Sequence, residues 1–457
     1  MKKWRKKMLP SPLNLEKSTQ KHEVNIAVSP LSGGEVIGHN FMCPEVCRHE
    51  FSPYDHIQLR ASPKSHYNFV KWTDDTNQTL SESTILSLTI TEDQTLHAIF
   101  RTNEPPSTPI VKYPKNLETL ITSTTTFELM PFDDPDNDSH EKTQWRIHRA
   151  DRPHTCEGMF YSNCVQSSSE NLTRYSRQGL ISGMQYVWDA AYSDSGSLTF
   201  AYTDLNRLTI GQRIQKNPID IPPGLEQNHY QMVSIPMWLD NPSAPVALGN
   251  ADSIFDTRYV RMGMFDPIQN QYVQLNSMMV LPGAAFWVLS RNGLTIPVQG
   301  VPVTIHEAID IPLRYSMSSD NGWNMIGSPT EKNYFWRRVI VVVYNDDFEI
   351  IEATKTIAEW GADNPYVDHR IYRWHNGVYE ESTTDGIIIA YQGYWVKAKQ
   401  SNVWLRFPVD AQVDMRKRSV DQWNVASDIV PPEPMQGFQE MGDISKGCFI
   451  STVDQRQ

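Results

Sequence analysis

A chain of 457 residues is longer than one hydrophobic core can serve, so several domains are expected. A hydrophobic fraction of 39% excludes wholesale disorder, and a formal net charge of -12 without a basic stripe excludes nucleic acid as a partner. Thirty prolines with abundant Thr and Ser predict β structure with many turns, and no stretch approaches the length of a membrane span.

Residues 1–22 read as a polar, basic tail. The opening MKKWRKK carries the charge of a signal-peptide start, but the MLPSPLNLEKSTQ that follows lacks an apolar run of the needed length. Residues 23–101 read as an all-β domain. Val24, Ile26 and Val28 alternate on one face, followed by Ile57, Leu59 and Ala61, then Leu86, Leu88 and Ile90, then Leu96, Ala98 and Phe100. The five cysteines fall as two local pairs, Cys43 with Cys47 and Cys156 with Cys164, plus Cys448 alone. That arithmetic suggests two short disulfides, worth roughly 2–3 kcal/mol each, and a free or modified thiol. With His39 and His49 nearby, Cys43 and Cys47 also admit a zinc site, although HNFMCPEVCRH lacks a second ligand knuckle.

The order Val28-x-Pro30-x-x-Gly33-Gly34-x-Val36, then Cys43 and Cys47, Ala61-x-Pro63, Phe69-x-x-Trp72 and Ala98-x-Phe100 resembles the divergent internalin-type B-repeat of bacterial surface proteins. The resemblance implies a Cys43–Cys47 bridge. It departs from the family at Trp72-Thr73-Asp74, where the glycine of W-x-G is missing and the turn must be built differently.

Pro105, Pro106 and Pro109 make residues 102–109 an extended linker. Residues 110–212 then read as a β-sandwich, with strand phases at Phe127 and Leu129, Trp145 and Ile147, Tyr186, Trp188 and Ala190, and Leu198 and Phe200. MQYVWDAAYSDSGS resembles the late strand and turn of fibronectin type III domains, and DDPDNDSHEKTQWRI an acidic loop of their bacterial relatives. In that loop Asp133, Asp134, Asp136 and Asp138 alternate as oxygen donors suited to calcium, whereas the full EF-hand signature is absent. The plain alternative is a solvated turn.

After a second linker at 213–229, residues 230–411 contain an internal duplication, with copies at about 230–299 and 320–411. YQMVSIP matches WNMIGSP, Phe286-Trp287-Val288 matches Tyr394-Trp395-Val396, and Ile296-Pro297-Val298 matches Phe407-Pro408-Val409. The second copy inserts IEATKTIAEWG, where Ile351, Thr354 or Lys355, and Ala358 have helical spacing and Gly361 is a stop. Before it, Val339, Val341 and Val343 share a strand face. The pair resembles the GWN-IGNP and GYWV modules near the C-termini of exported bacterial proteins, a resemblance that implies no catalysis.

Thirteen tryptophans raise the question of sugar stacking. Trp72, Trp145, Trp188, Trp287, Trp323 and Trp395 fall at strand phases or repeat positions and read as core; Trp238, Trp336, Trp360 and Trp374 are less constrained and are the candidate ligand platform. Catalytic motifs are missing, and the adjacent acids Asp346-Asp347 and Glu380-Glu381 read as solvated turns. Residues 412–457 read as a flexible tail, broken by PPEP. In it Gly447, Cys448, Phe449, Ile450 and Thr452 resemble the GCFIAT box of exported bacterial proteins, which implies processing or attachment through Cys448; an unpaired surface thiol is the plain alternative.

The expected fold class is therefore all-β, as tandem small domains: B-repeat-like, fibronectin type III-like, and a duplicated β-sandwich module with one short inserted helix. The expected function is a non-catalytic extracellular or cell-surface stalk, spacer or adhesive module, its partner a surface glycan or protein and calcium its one candidate cofactor. A carbohydrate-binding protein and an accessory region of a larger exported enzyme are the alternatives.

Overall fold

The computed structural model describes residues 21–38, 40–43, 46–152, 165–168, 171–194, 201–239, 242–243, 258–274, 279–345, 350–383, 385–413, 422–426 and 429–438. The fold is all-β, and Ile357–Trp360 is the α-helix among the described residues. The chain divides into two compact units. One holds residues 1–108 with 132–142 and 192–201; the other holds 109–131, 143–191 and 202–457.

The first unit contains strands β1 (His22–Ser29), β2 (Gly34–Ile37), β3 (Met42–Cys43), β4 (Val46–Phe51), β5 (His56–Pro63), β6 (Tyr67–Thr73), β7 (Thr79–Ser81), β8 (Ile85–Thr89) and β9 (Gln94–Thr102). They form two sheets, ordered β4-β1-β9-β6-β7 and β3-β2-β5-β8. Alternation fixes the inward faces: Val24, Ile26 and Val28 meet Leu59, Ala61, Leu96, Ala98 and Phe100 around a fully buried Trp72. The turn that lacks its glycine is built by Asp74. Its Oδ1 accepts from the Thr76 and Gln78 amides and from the Thr76 hydroxyl, and Asn77 takes the left-handed conformation at φ 67°.

In the second unit, Trp145 and Trp188 stack at 6.4 Å and Phe127 meets Trp188 edge-on at 4.8 Å. Trp188 lies on Met184–Asp194, the centre of a sheet that also contains Asn206–Ile210 and His140–Arg149. The same unit continues into the duplicated segment through specific bonds. The Trp238 indole donates to the Gly183 carbonyl at 3.0 Å, and the Thr304 amide donates to that same oxygen. Asp310, whose side chain is fully buried, receives a two-pronged bond from Arg406 at 2.8 and 2.7 Å, and its amide donates to Asp151.

The two copies use the same strand order. In the first, Gln231–Ser234 pairs with Ala285–Ser290, which pairs with Val260–Asp266 and on to Gln271–Gln274. In the second, Trp323–Gly327 pairs with Gly393–Lys397, then Ile371–His375 and Val378–Ser382. Even the register repeats: Met232 faces Trp287, and Met325 faces Trp395. The copies also share a core, in which Phe265 packs on Trp395 at 5.6 Å and Trp287 on Trp374 at 6.0 Å.

Three local expectations are corrected. The inserted helix does not begin at Ile351, because Ile350–Glu352 is a strand; it covers only Ile357–Trp360. Thr356 decides the start, since its hydroxyl accepts from the Glu359 amide and the Glu359 carboxylate reaches back to the Thr356 amide. Glu380 and Glu381 lie within strand Val378–Ser382 instead of on a solvated turn, Glu380 bonded to Arg373 and Glu381 facing Arg370. Finally, part of the expected flexible tail is packed: Asn424–Val425 adds to the strand Val378–Ser382, and Ile429, Met435 and Phe438 contact the shared core. That burial of apolar surface orders a segment with no strand or helix periodicity.

Candidate functional site

The acidic loop gathers three of its four predicted ligands. Carboxylate oxygens of Asp134, Asp136 and Asp138 lie within 4.8 Å of one another. The loop folds this way because Asp134 Oδ1 accepts both the Asp136 and Asp138 amides at 2.9 Å, with Asn137 in the left-handed region. Asp133 instead turns outward and accepts from the Ser107 hydroxyl at 3.0 Å. Asp134 is only 9% exposed, and its Oδ2 is buried without a hydrogen-bond partner. Burial, with the neighbouring Asp194 and Asp136 charges, pushes its pKa above the ordinary carboxylate value.

The other two carboxylates are already engaged. Arg101 bonds Asp138 and approaches Asp136 at 3.9 Å, Asn68 donates to Asp138 at 2.9 Å, and the Glu104 amide donates to Asp136 at 2.6 Å. Arg101 thus occupies part of the role a bound cation would have. The free Asp134 Oδ2 and the spare lone pairs of its neighbours form an all-oxygen donor set that fits a hard cation such as calcium.

Cys43 and Cys47 form a disulfide, so neither sulfur is the thiolate that zinc requires. His49 stacks on Phe41 at 3.7 Å. His39, Cys156, Cys164, Asp346, Asp347 and Cys448 lie outside the described residues. Of the candidate tryptophans, Trp238 and Trp336 are buried, each indole N–H bonded to a backbone carbonyl, so neither presents a ring face. Trp360 is half-buried beneath the Lys355 ammonium at 3.9 Å. Trp374 is half-buried between Trp287 and Tyr379.

Around Trp374 lies a site that sequence inspection missed. Tyr230, Tyr272, Trp287, Trp374 and Tyr379, drawn from both copies, belong to an aromatic cluster on which Met435 and Phe438 pack, and the backbone of residues 432–438 is held beside it as a groove would hold it. Tyr379 OH donates to the Pro432 carbonyl at 2.5 Å, Tyr272 OH to Glu433 at 2.9 Å, and Gln227 Nε2 to Pro434 at 2.6 Å. Arg261 bonds the Gln436 carbonyl, and the Phe438 amide donates to Leu225 at 2.7 Å. The Arg261 and Arg291 guanidiniums lie 5.0 and 4.8 Å from the Phe438 ring. Burial pushes the Tyr272 and Tyr379 hydroxyls up and that of Tyr230 up to about 12, which keeps them protonated as donors. The signal available in sequence is P-x-x-P at 431–434, which by itself reads only as a structure breaker.

These features define a class: a multi-sheet, all-β modular protein with a disulfide in its first unit. Residues 24–104 match the divergent InlB B-repeat domain family. No curated protein matches the chain. Among solved structures, the chain is similar to fibronectin(III)-like modules of Clostridium thermocellum CbhA, with 10% identity, 43% of this chain and 92% of that one covered, and a TM-score of 0.20. It is also similar to the FN1–FN3 domains of chicken CNTN1, with 14% identity, coverage of 39% and 56%, and a TM-score of 0.19.

Proposed function

We propose that this chain is an exported, non-catalytic modular protein of the bacterial cell surface, serving as a stalk, spacer or adhesive binding module. The observation that carries this is the Cys43–Cys47 bridge inside the B-repeat match, because disulfides persist in oxidising compartments outside the cytoplasm. The likeness of the C-terminal pair to modules of exported proteins points the same way. Thiol titration of the native full chain, combined with labelling of intact cells by a membrane-impermeant reagent, tests the proposal. The expected result is surface labelling with Cys43 and Cys47 unreactive until reduction; five reactive thiols and no surface label would overturn it. Hydrolase activity of the chain would overturn its non-catalytic part, and glycan binding that depends on Trp374 would move the role to carbohydrate binding.

The acidic loop supports a second proposal, that calcium binds at Asp134, Asp136 and Asp138. Its specific support is the buried Asp134 Oδ2, an acceptor with no donor.

A further inference from the structure

The segment seated in the aromatic groove is periodic in its burial. Pro431 and Pro434 are buried while Val430, Glu433 and Gln436 are exposed, a repeat of three. Three residues per turn is the period of a polyproline II helix. The sequence presets that conformation, since each proline ring fixes φ near about -65° and holds the preceding residue extended. A polyproline II segment makes no internal hydrogen bonds, so its carbonyls are free to accept from outside. Here those acceptances are made by the groove: Tyr379, Tyr272 and Gln227 take the three successive carbonyls of Pro432, Glu433 and Pro434. Gly437 completes the fit, because a Cβ there would fall 2.6 Å from the Leu225 carbonyl oxygen.

A surface that buries prolines spaced three apart, seats Met435 and Phe438 on its aromatic cluster and aims hydroxyl and amide donors at the carbonyls of 432–434 has the features of a receptor for proline-rich peptides. We propose that this groove is a binding site for an extended P-x-x-P segment, that Pro431–Phe438 is its resident ligand, and that the same segment of a second copy occupies it in trans. A second copy carries the same residues, so every contact can be reproduced between chains, and exchange of an identical element is a low-cost route to association. This inference does not depend on where the protein resides or on the proposed adhesive role.

The test uses the full chain carrying Pro431→Ala and Pro434→Ala, which weakens the resident segment, and a fluorescent peptide of residues 429–438. Anisotropy should show saturable binding to this variant, at least ten-fold weaker for a peptide with the same two alanines, and displacement by unlabelled wild-type chain. Absence of saturable binding, or equal binding of the alanine peptide, would overturn the site; failure of the wild-type chain to displace would overturn the trans exchange. A second measurement does not depend on that variant. Hydrogen exchange of the wild-type chain should show a protected Phe438 amide, exchanging at least ten-fold faster when Tyr272 and Tyr379 are changed to Phe. An unprotected Phe438 amide in the wild type would also overturn the site.

Discussion

The B-repeat region and the duplicated region solve the same problem by different means. In the first, two small sheets close over one core, and a covalent bridge between β3 and β4 pins the loop at its margin. In the second, each copy leaves an aromatic face open, and the other copy covers it: Tyr230, Phe265 and Trp287 of one share a cluster with Trp323, Tyr372 and Trp395 of the other. The remaining edge of that cluster is covered by the proline-rich segment. The difference predicts that a module of the first kind is stable alone, whereas the copies of the second kind are stable only together.

The sharpest way to break this comparison is to remove an equivalent tryptophan from each region. Trp72→Ala and Trp395→Ala each delete a fully buried indole and should each cost about 3–5 kcal/mol. The difference lies in reach. Hydrogen exchange should rise only in the strands around Trp72 for the first, but in both Gln231–Ser234 and Trp323–Gly327 for the second. Exchange confined to the second copy in Trp395→Ala would mean that the copies are independent.

A smaller lesion addresses the same contact from its backbone side. Gly327 and Ser234 occupy matching positions in the two copies, and a Cβ on Gly327 would lie 2.2 Å from the Ser234 Cβ. Gly327→Ala should therefore cost up to about 3 kcal/mol through overpacking, read by chemical denaturation, and Ser234→Gly in the same chain should restore most of it.

Much of this architecture is legible in the sequence because its causes are local. Alternation at Val24, Ile26 and Val28 sets a buried face by the period of the strand alone, and the matched blocks around Trp287 and Trp395 land in matching registers. The acidic loop is legible to within one residue, since alternate Asp residues converge in a tight turn and Asp133 lies out of phase. What sequence inspection misses depends on distant partners. The proline-rich segment has neither a two-residue nor a 3.6-residue repeat, and the tyrosines that hold it lie some 160 positions away in one case and 53 in another. Likewise the platform reading of Trp336 fails because the His369 carbonyl that takes its indole N–H comes from a different stretch of chain.

The covalent and titratable devices offer gentler probes. Opening the Cys43–Cys47 loop by Cys43→Ala with Cys47→Ala should lower stability by about 2 kcal/mol, the chain-entropy value for so short a loop, and leave the Phe438 amide protection unchanged. For the groove, pH is the complementary probe. Tyr230 has a folded pKa raised to about 12 against an ordinary value of 10.0, so its contribution is fully present below pH 10. Denaturation midpoints should hold steady to that pH and fall between about pH 10 and 12, and Tyr230→Phe should flatten the fall.

The smallest expected effect belongs to the acidic loop, and it separates a cation site from a plain polar turn. Asp134→Asn keeps Oδ1 as acceptor of the two turn amides while removing the buried charge at Oδ2. Because the folded state holds the Asp134 pKa above its ordinary value, ionisation there disfavours folding, and the penalty grows as pH rises from the ordinary value through the folded one. In chelator the Asn variant should then equal or exceed the wild type by up to about 1 kcal/mol at neutral pH. Millimolar calcium should reverse the order, stabilising the wild type with measurable heat of binding and leaving Asp134→Asn unmoved. If calcium shifts neither melting temperature, Arg101 alone neutralises the loop, and both regions are then closed by the chain's own groups.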